Sequence, residues 1–349
     1  MVGMLNARGS SIKGGKIADA MKPMQPRYNG LGAGFAGYGI YPRLREHYAL
    51  HSMFYSEESK VATEEFLKSK LDVVKDEPIP TKGVEAITNG PILWRFFVDV
   101  PEHLLVTSPT HDEGNYILRT VMHINSRIEG AYVVSSGRDM GVFKAVGFPS
   151  EVAELYRIER YEGYMWLGHG RYPTNTPGWW GGAHPFSFLG WSVVHNGEIS
   201  SYGTNKRYAE QWGYKCTLLA DSEVLAYLFD LLVRRHELPI EVASAALFPP
   251  FWEQIDRYPD GYGELMRVIR MTYGGALVNG PASMIVATTH GMRGMIGLTD
   301  RIKLRPLVAA KRGDIYYIAS EECAIREVCN DPEKVWAPQA GAPVIAKCE

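Results

Sequence analysis

The chain has 349 residues, 46% of them hydrophobic and 22% charged, with a formal net charge of −2. That balance suits one large globular domain or two with ample core, and it argues against nucleic acid or an anionic membrane as a partner. No apolar run reaches the roughly 18 residues that a spanning helix needs, and Met1 to Lys22 lacks the apolar stretch of a signal peptide. None of Cys216, Cys323, Cys329 and Cys348 forms a C-x-x-C pair, so the composition predicts free thiols in a cytoplasmic chain, with no metal and no cofactor.

The first residues, Met1 to Asn6, have strand composition, and Lys16 to Met24 places Ile17, Met21 and Met24 at helical spacing. A Gly-rich aromatic strand is predicted over 33–41, and 47–52 is expected to extend the same sheet. The segment 60–70 reads as an amphipathic helix with Val61, Phe66 and Leu67 inward, and 72–80, charged and with two prolines, as a linker. From Val84 to Arg157 the pattern predicts a separate small α+β unit, with strands over 92–98, 104–107 and 131–135 and a helix over 113–128. Residues 84–157 show no chemistry of their own.

The most informative stretch runs from Gly168 to Glu198. Two short apolar runs, Tyr164 to Leu167 and Trp191 to Val194, have strand composition. Each ends in polar residues, His169-Gly170-Arg171 and His195-Asn196-Gly197-Glu198. The loop between them is rich in Gly, Pro and Trp, so both polar clusters are expected at one rim. Arg171 could fork a carboxylate, and the Asn196 amide with the Gly197 N–H could receive an oxyanion.

Further along, Asp221 reads as a helix N-cap before Val224, Leu225, Leu228 and Leu232. The stretch 237–270 reads as helical, broken at Pro249-Pro250 and over 258–263, with Phe251, Trp252 and Ile255 expected in the core. Strands are predicted over 274–277, 283–289 and 315–320.

The ordered string His169, Arg171, Thr174-Asn175-Thr176-Pro177, Trp179, Ala183-His184-Pro185-Phe186 and His195-Asn196-Gly197-Glu198-Ile199 resembles the glutaminase domain of class II glutamine amidotransferases. It is most similar to the version found in glutamate synthases. The resemblance covers residues 1 to about 55 and 160 to 330. It implies a four-layer αββα sandwich of the N-terminal-nucleophile hydrolase type with an inserted α+β unit at about 75–157. The domain would then span 1–330, and 331–349 would be a C-terminal tail. The family reaction splits the side-chain amide of glutamine into glutamate and ammonia for a synthase partner, here of the flavin and iron–sulfur glutamate synthase type.

By the same resemblance Arg171, Asp221 and His195 bind substrate, Asn196 and Gly197 stabilise the oxyanion, and Val2 stands where the family has its N-terminal cysteine nucleophile. Valine offers no lone pair for attack. Three readings stand: a natural protein that does not cleave, a chain altered at this codon, or a mature start at another residue. The corresponding functions are a glutaminase subunit without its nucleophile and a non-catalytic glutamine- or glutamate-binding regulatory subunit. A metal held by His169, His184 and His195 is a third arrangement open to these residues.

Overall fold

The computed structural model describes residues 1–106, 112–173 and 176–349. Two antiparallel sheets lie face to face. The larger has seven strands in the spatial order Lys334–Trp336, Val308–Arg312, Ile315–Ala319, Val2–Asn6, Met165–Gly170, Ala33–Tyr38 and Met140–Ala145. The smaller has five, in the order Phe186–Phe188, Trp191–Gly197, Ala282–Thr288, Gly294–Thr299 and Val344–Lys347.

Strand alternation sorts their side chains into two faces. Leu5, Met165 and Leu167 from one sheet meet Val194, Ile285 and Met295 from the other in a fully buried inter-sheet core. Gly3 permits this approach, since a Cβ there would stand 2.4 Å from Met295 Sδ.

The outer face of the larger sheet, with Met4, Phe35 and Trp166, packs on helices Gly15–Met21, Pro149–Leu155 and Glu322–Val328. On the far side Trp191, Val193 and Met284 pack on Glu223–Phe229 and Tyr262–Thr272. The result is a four-layer αββα sandwich, in which each sheet has both faces covered.

A third sheet of four strands, in the order Asp72–Pro78, Ile92–Asp99, Tyr48–Phe54 and Ala131–Ser135, carries helices Glu57–Lys70 and Glu113–Arg127. Both helices start from side-chain caps: the Ser59 N–H donates to Ser56 Oγ at 3.1 Å, and the Gly114 N–H to Asp112 Oδ1 at 2.8 Å.

Several sequence-based expectations give way here. The strand at Tyr48–Phe54 belongs to the third sheet and does not extend the first. The charged stretch expected as a linker is the strand Asp72–Pro78, whose terminal Pro78 is tolerated because the strand lies at the sheet edge, and Pro80 falls beyond it. Glu102–Val106 is a helix where a strand was predicted, and Thr107 lies outside the described residues. Residues 274–276 form a turn and Leu277 belongs to no element, where a strand was predicted. Val61, Phe251 and Trp252 are exposed, while Ile255 and Leu67 are buried. The segment 331–349 supplies one strand to each of the two main sheets and so is not a tail.

Candidate active site

The strands Met165–Gly170 and Trp191–Gly197 belong to different sheets, yet their ends converge on one cavity of about 390 Å³. Arg171, His195, Asn196, Gly197 and Asp221 all line it. A hydrogen bond joins the two strand ends: His169 Nε2 donates to the His195 carbonyl at 2.9 Å. Thr174 and Asn175 of the family-like string lie outside the described residues.

Arg171 is 5% exposed. Its backbone N–H donates to the Gly32 carbonyl at 2.8 Å, and its Nη1 to the Pro177 carbonyl at 2.9 Å. Its Nη2 donates to Thr176 Oγ1. Each terminal nitrogen therefore retains a second N–H. Burial lowers the guanidinium's pKa, and the Asp221 and Glu198 carboxylates work against that shift.

Asp221 does not cap the following helix, whose N-cap is Ser222. Its Oδ2 instead accepts the Ile199 N–H at 2.9 Å and its Oδ1 the Ser222 hydroxyl at 3.1 Å. The carboxylate thus ties its own loop to the residue just beyond the Asn196-Gly197 pair.

Because Ser222 gives its proton to Asp221, its oxygen receives the Nδ1–H of His195, 2.9 Å away. His195 is then the neutral tautomer with Nε2 as an acceptor. Gly197 has φ +144, and a Cβ there would stand 1.8 Å from the Pro281 carbonyl oxygen, so only glycine fits.

Val2 is fully buried in the core between the larger sheet and its helices and does not line the cavity. The neighbouring Met1 does line it, with its amine 3.1 Å from Ser320 Oγ. Period-two alternation explains the difference, because residues 1 and 2 face opposite sides of the strand. None of the four cysteines lines the cavity.

Sequence reasoning missed Tyr28, Ser222, Arg305 and Glu321, which also line the cavity. Ser222 stands beside Asp221, and Tyr28, Arg305 and Glu321 come from segments distant in the chain, where no local pattern points to a shared cavity.

The three histidines are buried together, with the His169 and His184 rings stacked at 4.1 Å. Neither ring nitrogen of His184 has a hydrogen-bond partner among the described residues. Among those residues no group of three or more His, Cys, Asp or Glu is arranged to hold a metal ion.

Burial holds all three histidines below their ordinary range, and it pushes His51 down to about 3. An unfolded chain binds a proton at each of these rings below pH 6.5 where the folded chain does not. Their contribution is therefore present above pH 6.5 and, for His51, is lost as pH falls toward about 3. Glu223, pushed up to about 7 by burial, acts in the opposite sense. His236, His290 and the Met1 amine are lowered by burial as well, and Asp139 is raised like Glu223, so the lowered groups outnumber the raised ones and predict a net loss of stability from pH 7 to pH 5, with His51 alone costing about 2 kcal/mol at the lower pH. Urea unfolding at a series of pH values checks this, and a flat profile would contradict it.

Comparison with known proteins agrees with this geometry. Residues 44–218 match the family described as glutamine amidotransferases class-II. The chain belongs to the class II glutamine amidotransferases. It is 49% identical to an uncharacterized protein of Archaeoglobus fulgidus, over 99% of this chain and 91% of that one. A glutamine–fructose-6-phosphate aminotransferase of Sulfurisphaera tokodaii is 32% identical over 32% of this chain and 19% of its own. The amidophosphoribosyltransferase of Escherichia coli is 28% identical over 60% and 38% respectively. The chain thus spans well under half of those two relatives. Among solved structures, glutamine PRPP amidotransferase from B. subtilis aligns over 99% of this chain and 46% of its own, with 15% identity and a TM-score of 0.48. No helix among the described residues is long and apolar enough to cross a membrane.

Proposed function

We propose that this chain binds L-glutamine in the cavity as the amide-binding subunit of a synthase complex. The observation that carries the reading is the convergence of a buried guanidinium, Arg171, and a carboxylate, Asp221, on one small cavity. An α-amino acid presents the matching pair of charges. Arg171 takes the α-carboxylate with its two remaining terminal N–H groups, and Asp221 takes the α-ammonium with the lone pairs that Ile199 and Ser222 leave open. Asn196 and Gly197 receive the side-chain amide oxygen, and His195 supports that end of the site.

Cleavage of the amide needs a nucleophile, and no cysteine lines the cavity. That favours a subunit that binds glutamine or glutamate and signals to its partner over one that releases ammonia unaided. The ordered H-N-G-E-I string supports a partner of the glutamate synthase type, the protein that would receive ammonia in a catalytic relative.

Titration calorimetry and an ammonia-release assay on one preparation test both halves. The expected result is glutamine binding without ammonia. Ammonia released at a rate proportional to chain concentration would overturn the non-cleaving reading, and absence of binding would overturn the site.

A further inference from the structure

Two ionisable side chains of opposite sign are buried just behind the cavity, and neither touches it. Lys144 is the one charged residue in the apolar strand Met140–Ala145 and has no exposed surface. Its Nζ donates to the carbonyls of Gly181 at 2.7 Å and Ala183 at 2.9 Å, with Pro185 at 3.4 Å. It also lies 4.7 Å above the Phe186 ring. The first two carbonyls flank Gly182, and a Cβ on Gly182 would stand 3.3 Å from Arg171 Nη1. Lys144 therefore fixes the backbone against which the Arg171 guanidinium rests.

Glu223 does the same for the other loop. Its carboxylate accepts the N–H groups of Thr217 at 3.0 Å and Leu218 at 2.8 Å, and the Tyr227 hydroxyl at 2.8 Å. The segment it holds leads directly into Ala220, Asp221 and Ser222, which line the cavity. The two loops meet where Trp179 Nε1 donates to the Leu218 carbonyl at 3.1 Å. Phe186, Leu218 and Ala220 pack together beneath that contact.

A buried charge is costly unless it is hydrogen-bonded, and both of these side chains direct their hydrogen bonds to the backbone of a cavity loop. We propose that Lys144 and Glu223 are positioning residues, each setting one half of the amino-acid clamp: Lys144 the carboxylate-binding loop of Arg171, and Glu223 the ammonium-binding loop of Asp221. This rests on the glutamine-binding reading for the ligand's identity, while the positioning itself is visible without ligand. Burial pushes Lys144 down to about 7 and Glu223 up to about 7, and the opposite charge of each works against the other's shift.

The test compares Lys144→Met, the milder Lys144→Gln, Glu223→Gln and Tyr227→Phe with the parent chain. Amide hydrogen exchange without ligand should speed up on the order of tenfold or more over 176–185 in the Lys144 variants, and over 217–222 in the Glu223 and Tyr227 variants, each leaving the other loop near its parent rate. Calorimetry adds a readout that general loosening would not give. Lys144→Gln should weaken L-glutamine and its deamino analogue 4-carbamoylbutanoate but spare the decarboxylated 4-aminobutanamide, and Glu223→Gln should show the reverse selectivity. Unchanged exchange in the predicted loops, or equal loss for all three ligands, overturns the proposal. If the parent chain binds no glutamine while exchange follows the predicted split, the positioning stands and the ligand assignment falls.

Discussion

Arg171→Ala is expected to weaken L-glutamine binding by about 2–5 kcal/mol, on the order of 30-fold or more. The guanidinium is buried and flanked by the Gly182 backbone, and alanine removes that cation, leaving Arg27 and Arg305 as the arginines that line the cavity. Asp221→Ala should cost a similar amount by removing the partner of the ammonium, and Arg171→Lys should fall between, because an ammonium cannot make two parallel hydrogen bonds. Arg171 also holds Pro177 and Thr176, so thermal unfolding of each variant separates a lost ligand contact from a disordered loop. Unchanged affinity by calorimetry in both alanine variants would remove the assigned site.

The largest expected effect on stability lies in the helix layer. Asp230 has no exposed surface and accepts Arg234 Nε and Nη2, each at 2.7 Å, and the Tyr214 hydroxyl at 2.5 Å. Arg234 reaches onward to Asp112 at 2.5 Å and so joins this layer to the helix Glu113–Arg127 of the third sheet. Asp230→Ala takes from a largely buried guanidinium one of its two carboxylate partners and from a buried phenol its acceptor, with an expected loss of about 3–5 kcal/mol. Asp230→Asn keeps the shape and one acceptor and should lose less. A loss below about 1 kcal/mol in urea unfolding would show that the network is replaced by solvent.

Where the chain carries a strong period, the sequence already shows the fold. The strand runs before His169 and His195, and the apolar stripe from Val224 to Leu232, are found as strands and helix in the structure. Segments whose local composition competes with their tertiary setting were not legible. Asp72–Pro78 is charged because it is an edge strand with one solvated face, and edge strands resemble linkers in composition. Phe251 and Trp252 read as core because nothing local distinguishes an exposed aromatic from a buried one, although Arg301 and Arg270 cover their rings from outside.

The site divides along the same line. Arg171, Asn196, Gly197 and Asp221 carry a motif and come together at the cavity. The Val2 side chain does not reach it, since a motif fixes position along the chain and the pleat fixes the face. Lys144 was passed over within a stretch that showed no chemistry, yet a lone lysine between Phe143 and Ala145 in an apolar strand was a visible signal.

The most direct measurement is a calorimetric titration of the parent chain with L-glutamine, run beside D-glutamine and Arg171→Ala. Saturable one-site binding of the L-isomer, much weaker binding of the D-isomer, and loss of the signal in the variant are expected. No heat of binding with the parent chain, or equal binding of both isomers and in Arg171→Ala, would contradict the claim that this cavity is an amino-acid clamp.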